Sequence, residues 1–199
     1  MLSSISPLGE RARNSRWWLT TAAYLVGSLV GGLGLGALAA LLGSAVPEEL
    51  RASPWALGVV ALLLLVGLGF DSAPGNRMVP SWRRQVDVDW LDEYRGWVMG
   101  LGFGVQLGFG LVTIITSATT YGVVLLAALS GQLGAGLAIG AVFGVVRALP
   151  SLLMGRVTDR AALHAVFTRV ERWAKPARII ARVALGGAAA ALLVAAVGS

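Results

Sequence analysis

From Gly96 to Pro150 the sequence contains no acidic residue, no lysine and a single arginine, Arg147. A chain in lipid must satisfy its backbone N–H and C=O groups internally, so a stretch this apolar is expected to be helical. About 20 residues make one crossing, which leaves room for two here. Glycines recur every fourth position at Gly100, Gly104, Gly108 and again at Gly136, Gly140, Gly144. That spacing stacks them on one helix face and lets backbones approach closely. The expectation is two membrane-crossing helices packed on each other through glycine.

Between the stripes lie Thr113, Thr116, Ser117, Thr119, Thr120 and Tyr121, preceded by Gln106 and followed by Gln132. Such groups in lipid either find partners inside the protein or line a wet cavity. Gln106 either bonds a neighbouring helix or contacts a solute, and the hydroxyls either line a path or bond their own backbone a turn earlier. Arg147 would cost about 2.5 to 3.5 kcal/mol at mid-membrane and much less near an interface. Three residues before Pro150, it either snorkels or holds an anion or partner. The turn between the two crossings falls at Ser130-Gly131-Gln132, with the hydroxyl cluster as a break within a long first arm, or else at Ser117 to Tyr121.

The rest of the chain extends this pattern. It is 56% hydrophobic and 13% charged, about half the usual charged share. The fold class is therefore all-α: a polytopic membrane protein of about five transmembrane helices, four to six, with amphipathic interfacial helices, in a single integral membrane domain over 1–199. The net charge is +6, but the basic residues sit between apolar runs, which argues against nucleic acid. Lys175 is the only lysine among sixteen basic residues, a usage that points to a GC-rich bacterial genome. The absence of cysteine excludes disulfides, thiolate metal sites and thiol redox chemistry by this chain.

Taken in order, Arg11, Arg13 and Arg16 precede an apolar run from Trp17 to Gly43. Ser44-Ala45-Val46 resembles a signal cleavage site, but the run is too long for a signal core and suits a retained span. Gly27, Gly31, Gly32 and Gly36 give it a small-residue face. Pro54 suits the start of the next span, Trp55 to about Phe70. Trp82, Val86, Trp90, Leu91 and Tyr94 among charges predict a helix in the headgroup region. The Asp87, Asp89, Asp92 and Glu93 cluster reads as a solvated charge run, and no metal site is expected. Residues 151 to 178 form a basic amphipathic helix lying on the membrane surface, suited to anionic lipid and ended by Pro176. His164 on it reads as interfacial. The last span runs from Ile179 to Val197. Arginine-rich segments stay cytoplasmic, so five spans put the N-terminus inside and the C-terminus outside a bacterial plasma membrane. Segments 17–95 and 96–178 overlay loosely as an internal repeat.

Gly102-Phe103-Gly104 leading to a Thr/Ser break, then Gly122 to Ser130, a glycine stripe over Leu137 to Leu149, Arg156 and a final span resembles the closing helices of the CcdA/DsbD transmembrane family of the LysE-type transporter superfamily. The resemblance covers residues 96–198 and implies a small helical scaffold with a central polar break. In that family a Pro-Cys break carries electrons. Here neither residue is present at Thr113 to Thr120, so that chemistry is not carried over.

No nucleotide loop, HExxH or Ser/His/Asp set occurs, so no enzyme and no cofactor are expected. The main functional expectation is a small transporter whose path is lined by Gln106, Thr113, Thr116, Ser117, Thr120 and Gln132, with Arg147 near the inner mouth. The alternative is a non-transporting membrane subunit that assembles a larger complex through its glycine stripes. The discriminating feature is whether those polar side chains converge or scatter. Expected partners are membrane lipids and either a second copy or another membrane protein.

Overall fold

The computed structural model describes residues 16–73, 95–110, 118–157 and 159–198. Among them are seven α-helices and no strand: α1 (Trp17–Ser44), the single turn α2 (Glu48–Arg51), α3 (Pro54–Ser72), α4 (Gly96–Phe109), α5 (Thr119–Ser130), α6 (Leu133–Leu152) and α7 (Arg160–Gly198). A 3-10 turn, Leu153–Arg156, links α6 towards α7. Four helical segments are long and apolar enough to cross a membrane: Trp17–Ser44, Pro54–Ser72, Leu133–Gly155 and Ala161–Gly198. Helices α4 and α5, at 14 and 12 residues, are each too short to do so alone.

Helix starts and stops follow local chemistry. Ser53 caps α3 by accepting from the Ala56 N–H, and Pro54 occupies the first turn, where its missing N–H costs nothing. Gly110 ends α4 at φ 70° and Gly131 ends α5 at φ 56°, both left-handed conformations that favour glycine. The turn between the arms therefore lies at Gly131, and α4 ends at Gly110.

The bundle is organised on α1, and here the glycine stripes depart from expectation. They do not interleave with each other; both dock on α1. Gly100, Gly104 and Gly108 of α4 lie over the carbonyls of Thr20, Tyr24 and Ser28, so α4 runs parallel to α1. Gly136, Gly140 and Gly144 of α6 lie over those of Gly36, Gly32 and Ser28, so α6 runs antiparallel. The reason is that α1 carries two small-residue faces. Gly27 and Gly31 meet α4, Gly32 and Gly36 meet α6, and one residue's step of about 100° turns the helix from the first partner to the second. Ser28 sits between them, fully buried, and its hydroxyl donates to the Gly144 carbonyl at 2.7 Å.

A second unit packs through side chains. Leu64 of α3, Leu185 and Ala189 of α7 and Ala118 before α5 form its buried centre, with Leu125 and Leu126 against it. α5 also reaches α1, since Gly43 lies on Ala128. Thus α4 and then α5 pass along α1 in the same direction, two short helices beside one continuous helix.

Residues 160–198 form one 39-residue helix with Pro176 inside it. The expected stop at Pro176 is corrected. Proline removes one hydrogen bond, to the carbonyl of Arg172, but Arg172 is exposed and the helix there packs on little else. Pro150 is likewise carried inside α6. The expected headgroup helix around Trp82 to Tyr94 and its acidic cluster fall outside the described residues.

Candidate functional site at the helix break

The end of α4 at Gly110 lies midway along α1, where Phe109 meets Gly31. Polar and charged side chains collect there from α3, α5, α6 and α7. On α6, Arg147 sends its guanidinium back over the Phe143 ring, 5.3 Å from the centroid, and donates to the Thr120 hydroxyl at 3.4 Å. Gly110 packs on the same Phe143 ring and on the Thr120 methyl. Helical side chains lean towards the N-terminus of their own helix, which for α6 carries Arg147 away from Pro150 and into the bundle. The guanidinium of Arg147 therefore points towards α5 and not towards Pro150. Tyr24 of α1 is buried against Ala148, the residue next to Arg147.

On the other side, Asp71 near the end of α3 accepts the Ala118 N–H at 2.9 Å, a carboxylate at the N-terminal end of α5. Arg182 of α7 donates to the Asp71 backbone carbonyl, one of the orphan acceptors at the end of α3. The far end of α5 is held by a cation. Arg51 donates to the Leu129 and Ser130 carbonyls at 3.1 and 2.7 Å, and to Val46 at 3.0 Å. A negative group at the N-terminal end and a positive one at the C-terminal end both complement the dipole of this short helix.

Of the path residues expected from sequence, Thr120 and Arg147 come together. Gln106 is half-buried on α4, and Gln132 is exposed at the N-cap of α6. Gln132 and Arg147 are fifteen residues apart on one helix, roughly 22 Å. Thr113, Thr116 and Ser117 lie outside the described residues. An apolar groove of about 340 Å³ lined by Pro54, Trp55, Gly58, Val59 and Leu62 lies on α3 and holds none of them. No group of three or more His, Cys, Asp or Glu is placed to hold a metal among the described residues. Sequence reasoning missed Arg51, Asp71 and Arg182 as helix-end ligands. The available signal was position: Arg51 and Asp71 flank the span Pro54 to Phe70 closely, and Arg182 sits just inside the last one.

The geometry is that of a fixed polar junction, in which charges hold helix ends and a guanidinium is stacked and hydrogen-bonded. Comparison with known proteins adds a direction. The chain is similar to methylamine utilization protein MauF. It is 31% identical to that of Paracoccus versutus over 153 residues, covering 75% of this chain and 55% of the relative. It is 33% identical to that of Methylophilus methylotrophus over 158 residues, covering 75% and 53%. With the Paracoccus denitrificans protein it shares 29% over 164 residues, covering 75% and 54%. The chain thus spans about half the length of the curated relatives it matches. No protein-family model matches it, and no solved structure does.

Two expectations are corrected by these matches. The resemblance to the CcdA/DsbD family is not supported, because the relatives found are methylamine utilization proteins. The glycine stripes and the polar break that carried it are features of close helix packing, which unrelated bundles share. The transporter reading falls for the same reason: these relatives are named for methylamine utilization and not for transport.

Proposed function

We propose that this chain is a non-catalytic membrane subunit that binds and helps to assemble a protein partner in a bacterial methylamine-utilization system. The observation that carries the reading is its similarity, over three quarters of its length, to proteins of that name. The interior supports it. Backbone-to-backbone contacts along α1 occupy the centre of the bundle, and among the described members of the expected path only Thr120 and Arg147 meet, while Gln132 is exposed at the far end of α6. The chain crosses the cytoplasmic membrane five times in this reading, with α4 and α5 as one interrupted crossing. The N-terminus is cytoplasmic, because the basic residues of the N-terminal segment and of residues 156–178 share that side.

The test is genetic and biochemical. Deletion from its own host should abolish growth on methylamine while leaving growth on ammonium intact, and the tagged chain extracted from that membrane should carry a stoichiometric protein partner. Normal growth on methylamine after deletion would overturn the assignment to that system. Loss of growth with a chain that purifies alone would overturn the assembly role.

A further inference from the structure

Helix α7 is longer than a membrane requires. Its 39 residues measure roughly 58 Å, whereas the hydrocarbon core is about 30 Å thick. The part from Pro176 to Gly198, 23 residues and roughly 34 Å, suffices for one crossing, and it is this part that packs on α3 through Leu185 and Ala189. The fifteen residues before Pro176 lie outside the part packed on α3 and are mostly exposed, with Val166 and Val170 half-buried. They are amphipathic: Val166, Val170 and Trp173 fall within one sector of about 60°, while Arg169, Arg172 and Lys175 step round to the opposite side. Trp173 is 66% exposed, Phe167 39%, and all three basic side chains are open to solvent. Glu171 is the only acid anywhere from Arg160 to Gly198. Pro176 stands at the join, where the missing N–H leaves the Arg172 carbonyl without its helical donor and the helix weakest against bending.

We propose that residues 161–175 are an arm that docks on the anionic phospholipid headgroups of the membrane holding the chain, bending at Pro176 so that Val166, Val170 and Trp173 enter the headgroup boundary. Charge complementarity selects this occupant. An arm with three cations against one acid, with an open tryptophan and attached to a spanning helix, is already within reach of the lipid surface, and each basic residue favours docking there by about fivefold. The proposal rests on the membrane-crossing reading above and does not depend on methylamine utilization.

The absence of cysteine makes the test clean. The full chain carrying Val170→Cys, labelled with an environment-sensitive fluorophore, is reconstituted into phosphatidylcholine vesicles with or without phosphatidylglycerol. A second variant, Leu193→Cys, reports the span. The label at 170 should turn blue-shifted and protected from iodide only in the anionic vesicles, and should revert at high salt. Combined Arg169→Gln, Arg172→Gln and Lys175→Gln should shift the docked-to-free ratio by on the order of a hundredfold, about fivefold per charge. A label at 170 equally wet, or equally buried, in both lipids while 193 stays buried overturns the arm and leaves the membrane reading intact. A label at 193 open to iodide in both overturns the crossing and the arm together.

Discussion

The docking of α6 on α1 makes opposite predictions for two glycines half a turn apart. At Gly36 an added Cβ would run into the Gly136 carbonyl oxygen and lie 2.9 Å from its carbon and 3.0 Å from the Gly140 Cα. All three atoms are backbone, so no rotamer change relieves the contact and the helices must separate. Overpacking of this kind costs about 1 to 3 kcal/mol. Gly36→Ala also replaces the hydrogen that points at that oxygen, a Cα–H···O contact of about 0.5 to 1 kcal/mol. Against this stands at most about 1 kcal/mol of helix propensity gained over glycine. The net expectation is a loss of about 0.5 to 3 kcal/mol. At Gly34 the nearest atom to an added Cβ is in the Phe109 ring, 4.0 Å away, so Gly34→Ala gains propensity and loses nothing. Both variants would be unfolded by SDS titration from mixed micelles, followed by tryptophan fluorescence and circular dichroism. Gly36→Ala should unfold at lower SDS than the parent and Gly34→Ala at equal or higher. Equal behaviour of the two would refute the glycine-mediated seat of α6 on α1.

Further outcomes follow from the same contacts. Arg51→Gln removes a cation and its fork from the Leu129 and Ser130 carbonyls and should lower unfolding stability by about 1 to 2 kcal/mol, with Arg51→Lys recovering only part because an ammonium cannot span the same acceptors. Asp71→Ala leaves the Ala118 N–H without its carboxylate and should cost about 0.5 to 2 kcal/mol, read as faster hydrogen exchange at the start of α5. Ser28→Ala deletes the buried bond to the Gly144 carbonyl and should cost about 0.5 to 1.5 kcal/mol in the SDS titration. Single cysteines at Val46 and Thr168 should react with an impermeant maleimide from opposite sides of the membrane, as five crossings require.

Much of the fold was legible in the sequence because its signals are local. The run from Trp17, the proline start at Pro54 and the left-handed turn at Gly131 each depend on residues a turn or less apart. The stripes announced close approach for the same reason. Their partner was not legible, because a period of four fixes a face and not what meets it. Gly31 and Gly32 were adjacent in a single list of small residues, yet adjacency on a helix means a 100° rotation and hence two partners. Pro176 misled in the opposite way. A proline breaks a buried helix decisively, but on an exposed one water can take the freed carbonyl, so the residue alone did not mark an end. At the candidate site, Thr120 and Arg147 were visible as polar residues in apolar runs. Arg51 and Asp71 act on a helix 78 and 47 positions away, and no local pattern encodes that.

These long-range charges explain how a 12-residue helix holds its place. An isolated helix as short as α5 is marginal, and it cannot be positioned by hydrophobic matching because it does not cross the core. Its level in the bundle is instead set at both ends, by the Asp71 carboxylate on one and the Arg51 guanidinium on the other. Both ligands flank the same helix, α3, so α3 acts as a ruler for α5. α3 in turn packs on α7 through Leu64 and Leu185, while α5 touches α1 at Gly43. The glycine-packed unit and the leucine-packed unit are thus joined through a helix whose position is electrostatic. A partner that drew Arg51 or Asp71 away would loosen the ends of α5 and its seat on Gly43, leaving the contacts of α4 and α6 with the other glycines of α1 in place.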